Sequence, residues 1–247
     1  MSEPIPAATL VVVREPSGAA PELLMVERAA GMVFAGGALV FPGGRIDDGD
    51  RALAGKLGIA DGAAKVAAIR ETVEETAIPV GITPVPSPSV AASLQEALIA
   101  DRSFAEVLDE FGLRLDPAAL TPFARWLPNF HVTRRFDTLF FLACAPSGDW
   151  QPKVIEGECT GAFWLSAAEA LDRGQRGDAQ LMFPTRRNLE RLAQHRSFAE
   201  MAADASGHAV DRITPWVEEK GGEKFIRIPE GLGYPTTGEK LDGLWRG

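Results

Sequence analysis

The chain reads as an α+β fold, and three observations carry that reading. Apolar, β-branched runs near the N-terminus and again around residue 140 have strand length. Between them, residues 63–76 repeat their apolar positions at helix spacing. Strand-like and helix-like segments then stay interspersed along all 247 residues, and a hydrophobic content of 46% can fill a sizeable core.

Taken in order, residues 7–14 (Ala-Ala-Thr-Leu-Val-Val-Val-Arg) form a buried strand and residues 22–28 a second, after a turn at Pro16-Ser17-Gly18. Residues 38–41 make a short strand that ends at Pro42-Gly43-Gly44, where two glycines allow a tight turn close to a ligand. Residues 63–76 are the strongest helix, with Asp61 as N-cap and Ile78-Pro79 as the stop. Val66, Ile69, Val73 and Ala77 form its apolar stripe. Residues 80–92 are a Pro- and Ser-rich loop, followed by helices over 91–100 and 103–111. Strands follow at 137–145 and 163–165, then a helix from Ser166, its N-cap, through Leu171, and another over 186–195. From about residue 200 the tail is Gly-, Pro- and charge-rich, with short strands at 213–217 and 224–228; it either packs on the core or serves a homodimer. Cys144 falls in the apolar 139–145 run and is expected to be a buried thiol.

The chemistry concentrates in Arg70-Glu71-Thr72-Val73-Glu74-Glu75. Residues three and four apart share a helix face, so Glu71, Glu74 and Glu75 point the same way. Crowded carboxylates repel, and an oxygen-only donor set suits Mg²⁺, Mn²⁺ or Ca²⁺. Alone, Arg-Glu-x-x-Glu-Glu is also a common solvated helix face. The glycine turn and Asp50 upstream tip the balance toward a site.

Gly44, Asp50, Arg70, Glu71, Glu74, Glu75 and Ile78 together resemble the box of the Nudix hydrolases, G-x5-E-x7-R-E-U-x-E-E-x-G-U with U aliphatic. Asp50 stands for the first glutamate, Thr72 for an aliphatic residue and Ala77 for the last glycine. Residues 51–69 put nineteen positions where the pattern has seven, a twelve-residue insertion (51–62) in the loop before the helix. That insertion is similar to the branch around mammalian nucleoside diphosphate-linked moiety X motif 19, associated with coenzyme A and acyl-CoA diphosphate hydrolysis. Leu23–Arg28, Gly36–Gly44, Arg125-Trp126, Thr133–Phe141, Phe163–Leu165 and Phe183–Thr185 fit the same branch, so the resemblance covers roughly residues 8–195.

The resemblance implies one Nudix domain over residues 1–247. Its mixed β-sheet would be sandwiched between α-helices, with a helical insert at about 80–122 covering the site and a C-terminal extension from about 200. It implies Glu71, Glu74 and Glu75 as ligands of Mg²⁺ or Mn²⁺, Arg70 orienting a carboxylate, and Asp50 supporting the network from the loop. A further catalytic glutamate from a distant loop would be Glu158, with Glu156 as the alternative. Gly43 and Gly44 would approach the substrate. Arg28, Arg45, Arg134 and Arg135 are candidates for gripping phosphate, since a guanidinium bonds two oxygens at once; Arg135 leads, and a surface ion pair is the plainer role for each. Phe34, Trp126, Phe130 and Phe136 could stack on adenine or simply fill the core. His131 reads as a loop histidine.

The implied reaction is metal-dependent hydrolysis of a nucleoside diphosphate linked to another moiety. Coenzyme A or an acyl-CoA leads, with ADP-ribose, NADH or a dinucleoside polyphosphate as alternatives. A non-catalytic nucleotide sensor is a rival of another class. Composition narrows the field further. A net charge of −9 argues against a nucleic-acid surface, and no apolar run spans a bilayer. The first six residues lack a signal peptide's basic start and apolar core, so a cytoplasmic setting is expected. The two cysteines suggest neither a disulfide framework nor a zinc site. Neither a P-loop nor a Ser-His-Asp arrangement is present.

Overall fold

The computed structural model describes residues 3–29, 31, 36–59, 62–128, 135–155, 157 and 159–241. The chain begins with β1 (Ile5–Arg14), β2 (Glu22–Arg28), β3 (Leu39–Val40) and β4 (Gly43–Arg45), then helices α1 (Asp48–Leu57) and α2 (Gly62–Thr76). There follow β5 (Ile82–Thr83), α3 (Pro88–Ile99), α4 (Phe104–Glu110), β6 (Arg114–Leu115), β7 (Thr121–Trp126), β8 (Phe136–Cys144) and β9 (Cys159–Ser166). The last third holds α5 (Ala167–Arg176), α6 (Phe183–Leu192), α7 (Phe198–Gly207), β10 (Arg212–Ile213), β11 (Trp216–Lys220), β12 (Glu223–Arg227) and β13 (Gly238–Lys240).

The main sheet is mixed. β1 pairs in parallel with β8 along its whole length, Ile5 with Phe136 through Val13 with Cys144. Its other edge is shared: β4 pairs antiparallel at Ala7–Thr9, and β2 pairs antiparallel only at Val13 and Arg14. β1 and β2 therefore splay apart. β2 continues along β9 on one edge and β3 on the other. The segment from Leu39 to Arg45 crosses the split, leaving β2 as β3 and joining β1 as β4. β7 and β10 complete the opposite edge.

Strand alternation sorts apolar side chains onto two faces. Ala8, Leu10, Val12 and Leu24 pack with Val66, Ile69 and Val73 of α2 and with Leu94, Leu98, Phe104 and Val107 of α3 and α4. Val11, Val13, Leu23 and Met25 pack on the other side with Ala170, Phe183, Leu189, Leu192 and Met201 of α5, α6 and α7. The sheet is thus sandwiched between helices, as expected. The tail joins the second face, where Ile226, Ile228 and Tyr234 are buried, so it packs on the core.

Several local expectations are corrected. The insertion is helical: α1 takes most of it, from Asp48 through Leu57, closed by Gly58 in the left-handed region at φ 64°. Gly43–Arg45 is a strand on β1 and not a free turn. Cys144 is exposed, because it is the last residue of β8 and its partner Val13 is the last but one of β1. The helical insert joins the apolar core beside α2. α2 begins at Gly62, and its expected N-cap, Asp61, lies outside the described residues.

Candidate active site

The site forms where β1 and β2 part, because the crossing segment brings the glycines against α2. Gly43 N–H donates to Glu75 Oε2 at 3.0 Å. A Cβ on Gly44 would lie 2.4 Å from the Glu71 carboxylate, and one on Gly43 would lie 2.5 Å from the Ala8 carbonyl oxygen. Glycine is required at both positions by close approach, to an α2 side chain at one and to the neighbouring strand at the other.

Arg70 anchors the carboxylate face. Its Nε and Nη2 donate to Asp50 Oδ1 and Oδ2 at 2.9 and 3.0 Å, a bidentate pair. Nη2 also reaches the Arg45 carbonyl at 3.1 Å, and Nη1 lies 3.0 Å from Glu71 Oε1 and 3.2 Å from Glu74 Oε2. Burial works against its charge, but the Asp50 hydrogen bond and the Glu71, Asp50 and Glu74 carboxylates outweigh it and raise its pKa. Asp50, only 2% exposed, acts from α1 and not from a loop, and it also accepts the Asp47 N–H at 2.9 Å. The inserted helix therefore carries the residue that stands for the box's first glutamate, and turns it onto Arg70.

Burial opposes the charge on Glu71. Burial raises its pKa to about 7; Arg70 pulls it down, while Glu74 and Asp50 push it up. Glu75 is buried between two strands: Arg28 Nη1 lies 3.8 Å from its Oε1, and the Cys159 thiol approaches the same oxygen at 3.8 Å. Arg28 and Cys159 face each other across the β2–β9 ladder, next to a bulge at Glu27/Arg28. Arg28 Nε is buried with no hydrogen-bond partner among the described residues.

Thr72 and Thr76 explain two features of the helix. Both are fully buried, and their hydroxyls donate to the carbonyls of Ala68 and Thr72 four residues back. A threonine thus replaces an aliphatic residue without leaving a polar group unmatched. Ala77 adopts φ 57°, the left-handed conformation that a glycine would take without strain.

These residues suit a divalent cation in chemistry: Glu71, Glu74 and Glu75 offer oxygens only, with Arg70 against Glu71 and Glu74 and Arg28 near Glu75. Among the described residues, no three His, Cys, Asp or Glu side chains converge as a ready-made cage. The three candidate carboxylates are a row of neighbours on one helix face, with the Arg70 guanidinium between Glu71 and Glu74.

The other expected residues divide. Arg45 brings its carbonyl to Arg70, and its side chain is exposed. Arg135 precedes β8, where its carbonyl accepts from Ile5 N–H, at the end of the sheet that also carries Arg45. Trp126 belongs to the core, edge-on to Phe183 and Tyr234, with its indole N–H on Tyr234 and Asn188. Phe136 is half-buried at the start of β8. Glu156, Glu158, Arg134, Phe34, Phe130 and His131 lie outside the described residues. Sequence reasoning missed Cys159, because its place beside Glu75 depends on a pairing 131 positions away in the chain, Arg28 with Cys159. A cavity of about 300 Å³ opens at this point, lined by Val154, Gly157, Cys159 and Thr160.

Comparison with known proteins agrees with this architecture. The crystal structure of a NUDIX hydrolase from Alicyclobacillus acidocaldarius superposes with a TM-score of 0.68 and 29% identity, covering 82% of this chain and 97% of that one. The human acyl-coenzyme A diphosphatase NUDT19 is 29% identical over 177 residues, which are 64% of this chain and 46% of that protein. The chain thus spans about half the length of that curated relative. No family profile matches the chain.

Proposed function

The chain belongs to the Nudix hydrolase superfamily, and from that premise we propose that it hydrolyses the diphosphate linkage of a nucleoside diphosphate derivative. One observation carries the reading: the glycine segment is seated directly on the Glu71 and Glu75 carboxylates of a helix whose acidic face is met by the Arg70 and Arg28 guanidiniums. The whole chain acts as one domain, with α1, the α3–α4 insert and the tail as additions to the core.

Glu71, Glu74 and Glu75 would hold Mg²⁺ or Mn²⁺, and superfamily members use such divalent ions. When bound, the cation neutralises diphosphate oxygens and lowers the pKa of a water. Arg70 holds the carboxylates apart and in register through Asp50. Gly43 and Gly44 let the backbone come close to a bulky anion. Arg28, whose Nη1 lies 3.8 Å from Glu75 and whose Nε has no partner among the described residues, offers donors to phosphate, and Arg45 and Arg135 stand at the same end of the sheet. Glu158 would supply a further carboxylate.

Coenzyme A or an acyl-CoA is the leading substrate. Water attack at phosphorus would yield 3′,5′-ADP and (acyl-)phosphopantetheine. The similarity to the human diphosphatase and the cavity beside Glu75, with room for more than a phosphate, support this choice.

The test is to incubate the protein with Mg²⁺ or Mn²⁺ and a panel of CoA, acetyl-CoA, ADP-ribose, NADH and diadenosine polyphosphates, resolving products by chromatography and mass. Metal-dependent 3′,5′-ADP from CoA, reduced at least 100-fold in Glu75→Gln, is the expected outcome. AMP from another compound would move the substrate and keep the site. Nucleotide binding with no turnover would replace the enzyme by a sensor.

A further inference from the structure

Gln95 is fully buried on α3, within the insert, yet its side chain points at main-chain atoms of two other segments. Its Nε2 donates to the Glu74 carbonyl at 3.1 Å and to the Lys153 carbonyl at 2.7 Å. Both partners are acceptors, so only the amide nitrogen, with its two N–H groups, can face them. Its Oε1 is buried without a partner among the described residues. The side chain is therefore held for its donors, at the cost of an unmatched acceptor.

The two carbonyls have different significance. Glu74 lies in the last turn of α2, where the final four carbonyls have no partner within the helix. Gln95 satisfies one, and Lys153 N–H satisfies another by donating to Thr76 O at 2.9 Å. Lys153 opens the stretch that walls the cavity at Val154, Gly157, Cys159 and Thr160. Within that stretch the Cys159 thiol lies 3.8 Å from Glu75 Oε1. Gln95 and Lys153 thus tie the carboxylate-bearing end of α2 to the cavity wall.

We propose that Gln95 is a positioning residue for the hydrolytic site: through its two donors the α3–α4 insert sets the spacing between the α2 carboxylates and the loop that walls the substrate cavity. This rests on the hydrolase reading given above. Gln95 touches no substrate. It acts through the main chain of Glu74 and Lys153, and a displacement of about an ångström in such an alignment costs on the order of 100-fold in rate.

The experiment compares Gln95→Met, which keeps length and removes both donors, with Leu94→Ala, which opens a hole in the same helix without touching the loop. Hydrogen exchange is followed in the peptide covering 150–160, and kcat/KM and the Mn²⁺ dissociation constant are measured in parallel. In Gln95→Met, exchange in 150–160 should rise at least tenfold and kcat/KM should fall at least tenfold, with Mn²⁺ affinity within twofold of wild type. Leu94→Ala should lower Tm while leaving that peptide's exchange and kcat/KM within twofold. Unchanged exchange in Gln95→Met, or raised exchange with unchanged kcat/KM, overturns the proposal. So does an equal effect of Leu94→Ala. If Gln95→Met does not fold, Gln95→Glu is read the same way, since it keeps the shape and loses at least one donor. If the wild type turns over no compound of the panel, the hydrolase reading fails, and the exchange measurement separately decides whether the tie exists.

Discussion

Gly43 and Gly44 are adjacent, but they refuse a side chain for different reasons, and the difference is measurable. A Cβ at Gly43 would meet the Ala8 carbonyl oxygen and the Thr9 Cα at 2.5 and 2.7 Å, both backbone atoms that cannot move without parting β4 from β1. A Cβ at Gly44 would come nearest to the Glu71 carboxylate, the far end of a side chain that can swing away. Gly43→Ala is therefore expected to cost about 2 kcal/mol or more of stability, in the range of overpacking. Gly44→Ala should fold with a Tm close to wild type and lose at least tenfold in kcat, because the displaced group is a proposed metal ligand. Thermal melts and steady-state rates on the two variants check this; equal loss of stability in both would mean that the Glu71 side chain is not the obstacle. The box glycine was legible in the sequence as a residue type. Its reason was not, because the carboxylate it faces comes from 27 positions downstream.

The helix α2 was the most legible element, since periodicity and a proline stop are local signals. What sequence cannot show is how far burial opposes its charges. Glu71 has its pKa raised from 4.5 to about 7, with burial the largest cause. A carboxyl whose folded pKa lies above its unfolded value contributes stability that is fully present below 4.5 and lost as pH rises through about 7. At its limit this is about 3 kcal/mol. A divalent cation competes with that same proton, so its stabilising effect should grow with pH. The Tm increment given by Mn²⁺ is expected to be larger at pH 8 than at pH 6, and Glu71→Gln should flatten the difference. An increment independent of pH in the wild type would remove Glu71 from the ligand set. Other elements were harder to read for physical reasons. α1 carried its own signals, acidic residues at its start and Gly58 at its end, but counting residues 51–62 as a gap in a pattern concealed them. β7 contains Pro122 and Arg125, which weaken a strand signature, and it forms because β8 lies beside it. α7 has Ser197 as N-cap, accepting from Glu200 N–H, inside a tail whose average composition resembles a loop.

At the scale of the whole molecule, the sheet separates chemistry from reinforcement. One face carries α2 and its carboxylates; the other carries the tail, held by buried polar groups that composition could not reveal. Arg191, 1% exposed, donates to Asp204 Oδ2 at 2.7 Å and to the Phe123 carbonyl at 3.2 Å. Its guanidinium lies 4.4 Å from the Phe123 ring centre and 5.4 Å from that of Tyr234. It thereby joins α6 to α7, to β7 and to the segment after β12. Gly233, at φ 83°, permits this, since a Cβ there would lie 2.6 Å from Arg191 Nε. Removing one partner of such a pair strands the other, which typically costs 3–5 kcal/mol. Arg191→Ala should accordingly lose about that much in urea denaturation, because among the described residues Asp204 keeps only His195 and His208 at 3.6 and 3.3 Å. Its folded fraction should still turn over substrate within twofold of wild type, since none of these contacts reaches α2 or the glycine segment. Active-site titration of the folded fraction separates the two quantities. A fall in kcat per folded molecule matching the loss of stability would mean that the tail shapes the site and that the two faces of the sheet are coupled.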